Sequence, residues 1–337
     1  MNEINEDPTR SAPPVRQFVG MHLISGDDVA EIPIRDAVNA LETALRGGLD
    51  PEQDTPRSRV TTQAGELLVM PSTQGTFSGV KLLSSTPDNP RHGPPLIQGA
   101  FILFEGPEQR AAAIIDGVAL TNLRTPAVSA LAVRHLLPGK GAGPLRLTVF
   151  GTGPQARGHA EAMLALHEIS EVSLVGRDSA RRDRLAAHLA GTGVPLRVSG
   201  PDASAAAVEQ ADIICCCTSA PAPLFDGTLV KADAVVVAIG SHSPRMREVD
   251  DQLVNRASVV VESRASALRE AGDVVIPLAA GVVREEDLYA LRDVVTGSAQ
   301  MSTGGPRLFK GTGMPWQDLV VGAEIYRSYV TAHDGAP

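Results

Sequence analysis

The stretch LRLTVFGTGPQARGHAEAM, residues 145–163, decides the fold. An apolar run of strand length passes directly into two glycines, and a helical pattern follows. This is the G-x-G-x-x-A pattern, in which Gly151 permits a tight turn, Gly153 lets a pyrophosphate approach the backbone, and Ala156 allows close helix–strand packing. The helix begins with Pro154 and Gln155, and the free N–H groups of its first turn, which Pro154 itself lacks, attract phosphate. The stretch predicts a dinucleotide site, and the alternative is a purely structural glycine turn.

Strand and helix patterns alternate on both sides of this motif. Strands are predicted at 171–176, 196–200, 211–218, 232–240 and 257–263, with helices between several of them. Such alternation is typical of a doubly wound parallel sheet with right-handed crossovers. The fold class expected here is α/β, with a Rossmann-type sheet. Cysteines 215–217 fall inside one apolar strand and are expected to be core.

The segment before the motif has a different texture. It predicts strands at 66–71, 79–85, 96–105 and 111–117, the last two forming a hairpin around Gly106 and Pro107. Helices are predicted at 29–47, 121–137 and 315–332, and 284–293 is interpreted as a solvated helix face. An antiparallel, strand-rich unit is therefore expected beside the Rossmann-type sheet.

Composition excludes several classes of protein. The 337 residues are 43% hydrophobic and 3% aromatic, with a net charge of −9, which argues against nucleic-acid binding. Three adjacent cysteines provide neither a disulfide framework nor metal-ligand spacing, so no metal is expected. The first residues lack the apolar stretch of a signal peptide, and no apolar run is long enough to cross a bilayer. A cytoplasmic protein that does not bind membranes is expected.

The end of the strand at 171–176 bears on the choice of dinucleotide. An acid that binds the ribose 2′-hydroxyl is usual there, but the sequence continues with Arg177 and, shortly after, Arg182. A guanidinium suits a 2′-phosphate, which favours NADP(H) over NAD(H). The alternatives are that Asp178 takes the acid's role one residue late, and that the arginines around 181–182 are ordinary solvated charges.

Several segments in order resemble one known family. They are DGVALTNLRTPAVSALA (116–132), GTGPQARGHAEAM (151–163), MPSTQGTFSGVK (70–81), AIGSHSPRMREVD (238–250) and LFKGTG with WQD (308–318). Together they resemble the ornithine cyclodeaminase/μ-crystallin family over roughly residues 30–330. Residues 1–17 are polar and proline-rich and are expected to form a flexible tail. The resemblance implies a Rossmann domain at 126–313 and an α+β substrate-binding and dimerisation domain from 18–125 with 314–337. A homodimer is also implied.

The resemblance implies a set of cofactor contacts beyond the glycine motif. Arg124 and Thr125 would lie against the dinucleotide, as would Ser219 in the loop after the strand at 211–218. Gly240 and Ser241 would do so after the strand at 232–240. Lys310 matches a family segment near the nicotinamide. Asp318 matches a family acid, although a charge at a helix N-terminus explains it equally well.

Three basic residues match family substrate contacts: Arg57, Lys81 and Arg124. They could converge on one carboxylate, with arginine supplying a bidentate fork and lysine a point charge. Arg59 is a substitute for Arg57, since the register of that loop is open. The alternatives are a surface Arg57, a solvated Lys81 and an Arg124 that only caps a helix.

Two departures from the cyclodeaminase pattern favour a simpler reaction. His242 stands where those enzymes have a catalytic aspartate, and Leu68 stands where they have a glutamate. Without these carboxylates, handling two amines and expelling ammonia is disfavoured. The expected activity is NAD(P)H-dependent reduction of a cyclic 2-imino acid to an L-amino acid such as L-proline, with Lys81 and His242 as candidate catalytic groups. Open alternatives are an ornithine or lysine cyclodeaminase, an amino-acid or opine-type dehydrogenase, and a small-ligand binding protein.

Overall fold

The computed structural model describes residues 20–93, 95–137, 143–302 and 304–333. The expected tail at 1–17 and most of the linker at 138–143 lie outside this part of the chain. None of the helices within it is both long enough and apolar enough to span a membrane.

The N-terminal sheet has six strands. They are β1 (His22–Ile24), β2 (Ser58–Thr62), β3 (Gly65–Gln74), β4 (Phe77–Ser85), β5 (Ile97–Glu105) and β6 (Arg110–Asp116). Their order across the sheet is β1-β6-β5-β4-β3-β2, and neighbours are antiparallel except that β1 runs parallel to β6. The predicted antiparallel strands and the hairpin between β5 and β6 are confirmed.

The second sheet has eight strands, all parallel to their neighbours. They are β7 (Leu145–Phe150), β8 (Ile169–Val175), β9 (Leu196–Ser199), β10 (Ile213–Cys216), β11 (Val235–Ala238), β12 (Ser258–Val261), β13 (Tyr289–Ala290) and β14 (Arg307–Lys310). The order is β13-β12-β14-β11-β10-β7-β8-β9. Strands β10, β11 and β12 are buried on both faces, which explains why their sequences are continuous apolar runs. The predicted Rossmann-type fold is confirmed.

Helices cover the sheets and join them. They are α1 (Gly26–Ala30), α2 (Ile34–Arg46), α3 (Asn89–His92), α4 (Gly117–Leu136), α5 (Pro154–Leu166), α6 (Ser179–Leu189), α7 (Ala205–Gln210), α8 (Asp251–Arg256), α9 (Arg264–Glu270), α10 (Gly272–Ala279), α11 (Leu291–Thr296) and α12 (Pro315–His333). Helix α4 contacts β5 of the first sheet and β11 and β14 of the second, while α12 packs on β3 and β4. The last helix therefore returns to the first sheet. The predicted domain limits stay a prediction.

Three predictions about individual elements are wrong. The supposed single helix at 29–47 is divided into α1 and α2 before Pro33, which has no N–H to continue the first helix. The helix predicted from residue 121 begins at Gly117, because the Asp116 carboxylate accepts hydrogen bonds from the first free N–H groups. Residues 284–293 contain β13 and the start of α11 rather than a solvated helix, since Leu288 and Leu291 are buried.

Candidate functional site

The glycine turn after β7 has the shape that a pyrophosphate needs. Gly151 has a φ of +115°, and a Cβ there would lie 2.5 Å from the carbonyl oxygen of Cys217. Gly153 precedes the 13-residue helix α5, and a Cβ on it would meet no described atom within 4 Å. Sheet order reverses between β7 and β10, which is where doubly wound sheets bind ligands. Open space at a helix N-terminus fits a dinucleotide phosphate.

The first turn of α5 also contacts α4. Gln155 donates from Nε2 to Asn122 Oδ1 over 3.2 Å, while its Oε1 is buried without a hydrogen-bond partner among the described residues. Pro154 is exposed at the first helical position, and Ala156 is buried against the sheet. Thr125 donates its hydroxyl proton to the Thr121 carbonyl within α4. The amide oxygen of Gln155 therefore has unused capacity to accept a hydrogen bond at the start of α5.

The two arginines predicted after β8 to bind the dinucleotide differ in exposure. Arg177 is exposed at the end of the strand. Asp178 caps α6 by accepting from the Arg181 N–H over 2.9 Å, which occupies one of its carboxylate oxygens. Arg182 is half-buried and donates to the Gly176 carbonyl, leaving Arg177 as the more accessible guanidinium.

Glu248 holds together the loops that follow β10 and β11. It accepts from the Thr218 N–H and hydroxyl over 2.7 Å each, and from the Gly240 N–H over 2.7 Å. A Cβ on Gly240 would lie 1.9 Å from the Thr218 carbonyl oxygen, so only glycine fits. Burial raises the pKa of Glu248. Ser219 is exposed beside this junction, whereas the Ser241 hydroxyl donates into its own loop, to the Met246 carbonyl.

Lys310 lies beneath the same loop and is fully enclosed. Its Nζ donates to the Ser241 carbonyl over 2.6 Å and forms an ion pair with Asp273 at 2.9 Å. Asp273 in turn accepts from the Glu248 and Val249 N–H groups. The ammonium therefore fixes the loop, and both its close partners belong to the protein.

One carboxylate joins two of the predicted substrate cations. Asp318 Oδ1 on α12 lies 2.6 Å from Lys81 Nζ on β4 and 3.0 Å from Arg124 Nε on α4. Asp318 Oδ2 is buried with no hydrogen-bond partner among the described residues. Burial lowers the pKa of Lys81 to about 7, with Arg124 acting in the same direction and Asp318 opposing both. The role of Asp318 as the shared counter-ion of Lys81 and Arg124 could not be predicted from the sequence, because α12 joins the cluster only through tertiary packing.

Arg57 reaches the cluster from the loop before β2. It donates to the Thr312 carbonyl over 2.9 Å and to the Gly313 carbonyl, and its Nε forms an ion pair with Glu270 at 3.0 Å. Gly313 has a φ of +76°, and a Cβ there would meet Arg124 Nη1 at 2.7 Å. Burial lowers the pKa of Arg57. Arg57 and Arg124 thus meet at Gly313, and Lys81 joins Arg124 through Asp318, so each of the three predicted cations is already paired with the protein.

A cavity of about 470 Å³ opens beside this cluster. Its lining is basic and contains a single carboxylate: it is formed by Arg57, Arg59, His242, Ser243, Pro244, Arg269 and Glu270. His242 is exposed into it, and burial, Arg57 and Arg59 lower its pKa. Among the described residues, Lys81 and Arg124 do not line the cavity. Leu68 is buried on β3 and adds no charge.

A family model now identifies the relatives of this chain. The model described as the ornithine cyclodeaminase/mu-crystallin family matches residues 24–333. The chain belongs to that family. Within it, the chain is 33% identical to a "Delta(1)-pyrroline-2-carboxylate reductase" of Colwellia psychrerythraea, over 76% of this chain and 82% of the relative. It is 32% identical to the "Ketimine reductase mu-crystallin" of Rattus norvegicus, over 80% and 82%.

A solved structure has the same fold. The Delta(1)-pyrroline-2-carboxylate reductase of Thermococcus litoralis, solved in complex with NADH and L-proline, superimposes with a TM-score of 0.83. The match covers 93% of this chain and 98% of that chain at 24% identity. Among the residues described in the present chain, no group of three or more histidine, cysteine, aspartate or glutamate side chains could hold a metal ion.

Proposed function

We propose that this protein reduces a cyclic 2-imino acid (a ketimine), such as Δ1-pyrroline-2-carboxylate or Δ1-piperideine-2-carboxylate, to an L-amino acid such as L-proline. The observation that carries the proposal is the lining of the 470 Å³ cavity. Its one carboxylate, Glu270, is already bound between Arg57 and Arg269, both at 3.0 Å. Such a cavity suits a substrate that has a carboxylate and no second amine. The names of the two relatives support the same reaction.

The three cations have different parts in binding the substrate carboxylate. Arg57 lines the cavity and contacts the carboxylate, with its neighbour Arg59 at the rim. Arg124 and Lys81 share Asp318 and do not line the cavity, so they add positive potential rather than a hydrogen bond. Because Lys81 is enclosed, we assign it an electrostatic role and leave the proton to another group.

His242 is the group proposed to handle the proton. A bound nicotinamide dinucleotide supplies the hydride for the imine carbon. The imine nitrogen must carry a proton, and His242 is the titratable cavity residue with a pKa ordinarily near neutrality. Burial lowers the pKa of His242 most, and the charge of Arg57 lowers the pKa further; a carboxylate bound at Arg57 would offset that charge and so favour protonated His242.

The residues around the glycine turn fit a dinucleotide, and we propose NADP(H) as the preferred one, with NAD(H) as the alternative. Arg177 is exposed where the ribose 2′-position would lie, and Asp178 is used as a helix cap. Gly153, Gln155 and Ser219 would contact the cofactor, while Gly240, Ser241 and Lys310 would shape its loop.

We also propose a homodimer that forms through the first sheet. Helix α12 covers one face of this sheet, and the other presents a row of paired apolar residues across five strands: Leu23, Ile114, Ile102, Val80 and Pro71. An apolar sheet face of this extent is typical of a subunit interface. With the three cysteines free, a cytoplasmic location fits best.

The test is product analysis of two reactions. The purified protein is incubated with Δ1-pyrroline-2-carboxylate and NADPH, and separately with L-ornithine and NAD⁺. The proposal predicts L-proline in the first mixture with one NADPH oxidised per proline, and no ammonia in the second. Ammonia and proline from ornithine, without net change in the cofactor, would establish cyclodeamination instead.

A further inference from the structure

Glu262 is a buried carboxylate that the reaction above does not use. It follows β12 directly and is 2% exposed. Its Oε2 accepts from the Thr312 and Gly313 N–H groups over 2.9 Å each, and its Oε1 accepts from Gln317 Nε2 over 2.8 Å. A buried carboxylate with three hydrogen bonds fixes the positions of its partners, and through them the positions of the residues that those partners contact.

Those partners contact both substrate arginines. The Thr312 and Gly313 carbonyls accept from Arg57. Gln317 Oε1 accepts from Arg124 Nη1 over 3.1 Å, and from the Met314 N–H over 3.4 Å. Glu262 therefore stands one residue away from each arginine, at the edge of the sheet that carries the glycine turn.

The polarity of this chain of hydrogen bonds allows one arrangement. Donors stand at both ends: backbone N–H groups on the β14 side and the Arg124 guanidinium on the other. Between them, a carboxylate accepts on both sides and an amide accepts on one side and donates on the other. One carboxylate and one amide satisfy every position. With an amide at both positions, one NH2 group would face another N–H donor whichever way the two amides are flipped.

We infer that Glu262 and Gln317 form a positioning relay that fixes Arg57 at the cavity and Arg124 behind it, and so sets the positive potential at the substrate carboxylate. The inference rests on the proposed function, since it concerns the same carboxylate site. The relay predicts that a single amide substitution at position 262 disturbs Arg124 at a distance. It also predicts that exchanging the two residues restores the chain, because the amide now at position 262 donates to the carboxylate now at position 317, which accepts from Arg124.

The experiment compares E262Q, Q317E and the exchanged pair E262Q/Q317E with the wild-type protein. The probe is pyrrole-2-carboxylate, a planar ring carboxylate that cannot act as the imine, titrated calorimetrically in saturating NADP⁺. Cofactor affinity is followed separately by NADPH fluorescence. Each single variant should weaken binding of the probe about tenfold or more. In E262Q a buried amide donor loses its acceptor, and in Q317E two carboxylates face each other. NADPH affinity should change less than about twofold, because Arg124 is occupied by Asp318 and Gln317 and the proposed cofactor contacts are Gly153, Gln155 and Ser219, none of which belongs to the relay; the exchange should restore probe binding.

Several outcomes would overturn the relay. They are single variants that bind the probe as the wild type does, an exchanged pair no better than the singles, and equal loss of probe and NADPH affinity, which would mean a merely structural role. A wild-type protein that does not bind the probe would also overturn it. If the single variants fail to fold, the exchanged pair decides alone, since the relay requires wild-type-like probe binding. A wild type that binds the probe but reduces no ketimine would instead contradict only the proposed function.

Discussion

At the scale of single residues, the arrangement of charge around Gly313 decides how the site responds to pH. Asp318 is shared by Lys81 and Arg124, so two cations have one direct counter-ion. The excess positive charge depends on the proton of Lys81, whose pKa is lowered to about 7. Below that pH the cluster attracts a substrate carboxylate more strongly than above it.

The pH profile of kcat/KM should therefore report on Lys81. As pH rises through about 7, Lys81 loses its proton and kcat/KM for Δ1-pyrroline-2-carboxylate should fall about three- to tenfold. Asp318→Asn removes the anion that supports the charged lysine, so the fall should begin at lower pH. Titrations of the imine and of His242 are common to both profiles and cancel in the comparison. A profile that Asp318→Asn leaves in place would contradict the assignment.

The choice of cofactor is tested at Arg177. Arg177→Ala should raise the KM for NADPH about tenfold, because a charge-assisted contact to the 2′-phosphate is lost, and should leave the KM for NADH nearly unchanged. Arg181→Ala is the matched control: Arg181 is exposed on α6 and pairs only loosely with Asp178, at 3.8 Å. Equal effects of Arg177→Ala on both cofactors would show that this guanidinium does not discriminate between them.

At the scale of elements, the start of α12 is held by a residue far away in sequence. Asp54 accepts from the Trp316 N–H over 2.7 Å and from the Ser72 hydroxyl over 2.8 Å. Burial raises the pKa of Asp54 from 3.8 to about 6. Ionised Asp54 therefore caps the helix that carries Asp318, at a cost in stability.

The cost has a definite sign. Between pH 3.8 and about 6 the folded protein binds more protons at Asp54 than the unfolded chain, so this residue makes the free energy of unfolding fall as pH rises. Asp54→Asn should accordingly be about 1–3 kcal/mol more stable than the wild type at pH 7.5, and no more stable near pH 4. Urea denaturation at the two pH values measures this, with Ser72→Ala as the control that keeps the carboxylate. A variant less stable at pH 7.5 would show that the cap outweighs the burial of the charge.

Local sequence patterns predicted the elements better than the contacts between them. The glycine motif and the alternation around it specify a strand, a turn and a helix within about 20 residues. These elements could therefore be predicted from the sequence. Strand β14 was known only as a matching segment, because four residues between loops carry no period. The pairing of Lys81 with Asp318 and the role of Glu262 depend on α12 meeting β4 and the residue after β12, which no local pattern encodes.

At the scale of the whole molecule, five of the six exposed large hydrophobic residues belong to the first sheet or its loops. They include Leu23, Val60, Leu67 and Leu82, between 69% and 39% exposed, while Val198 lies on the second sheet. The uncovered face of the first sheet thus carries four of the six, and the proposed second copy of the chain would cover it.

Subunit association should fail when that face is charged. Leu82→Glu, in the middle of the sheet, should convert a dimer to a monomer in size-exclusion chromatography with light scattering, because a buried unpaired carboxylate opposes association. Val198→Glu is the matched control, since Val198 is 40% exposed but lies on β9 at the far edge of the other sheet. Dimers that withstand Leu82→Glu would place the interface elsewhere.

The central claim is that the protein consumes reduced cofactor to reduce a ketimine that carries a carboxylate. The most direct measurement is the initial rate of NADPH oxidation by the purified protein with Δ1-pyrroline-2-carboxylate, with NADH in a parallel reaction. Rapid oxidation that is faster with NADPH is the predicted result. No oxidation of either cofactor at any pH between 6 and 8 would contradict the account.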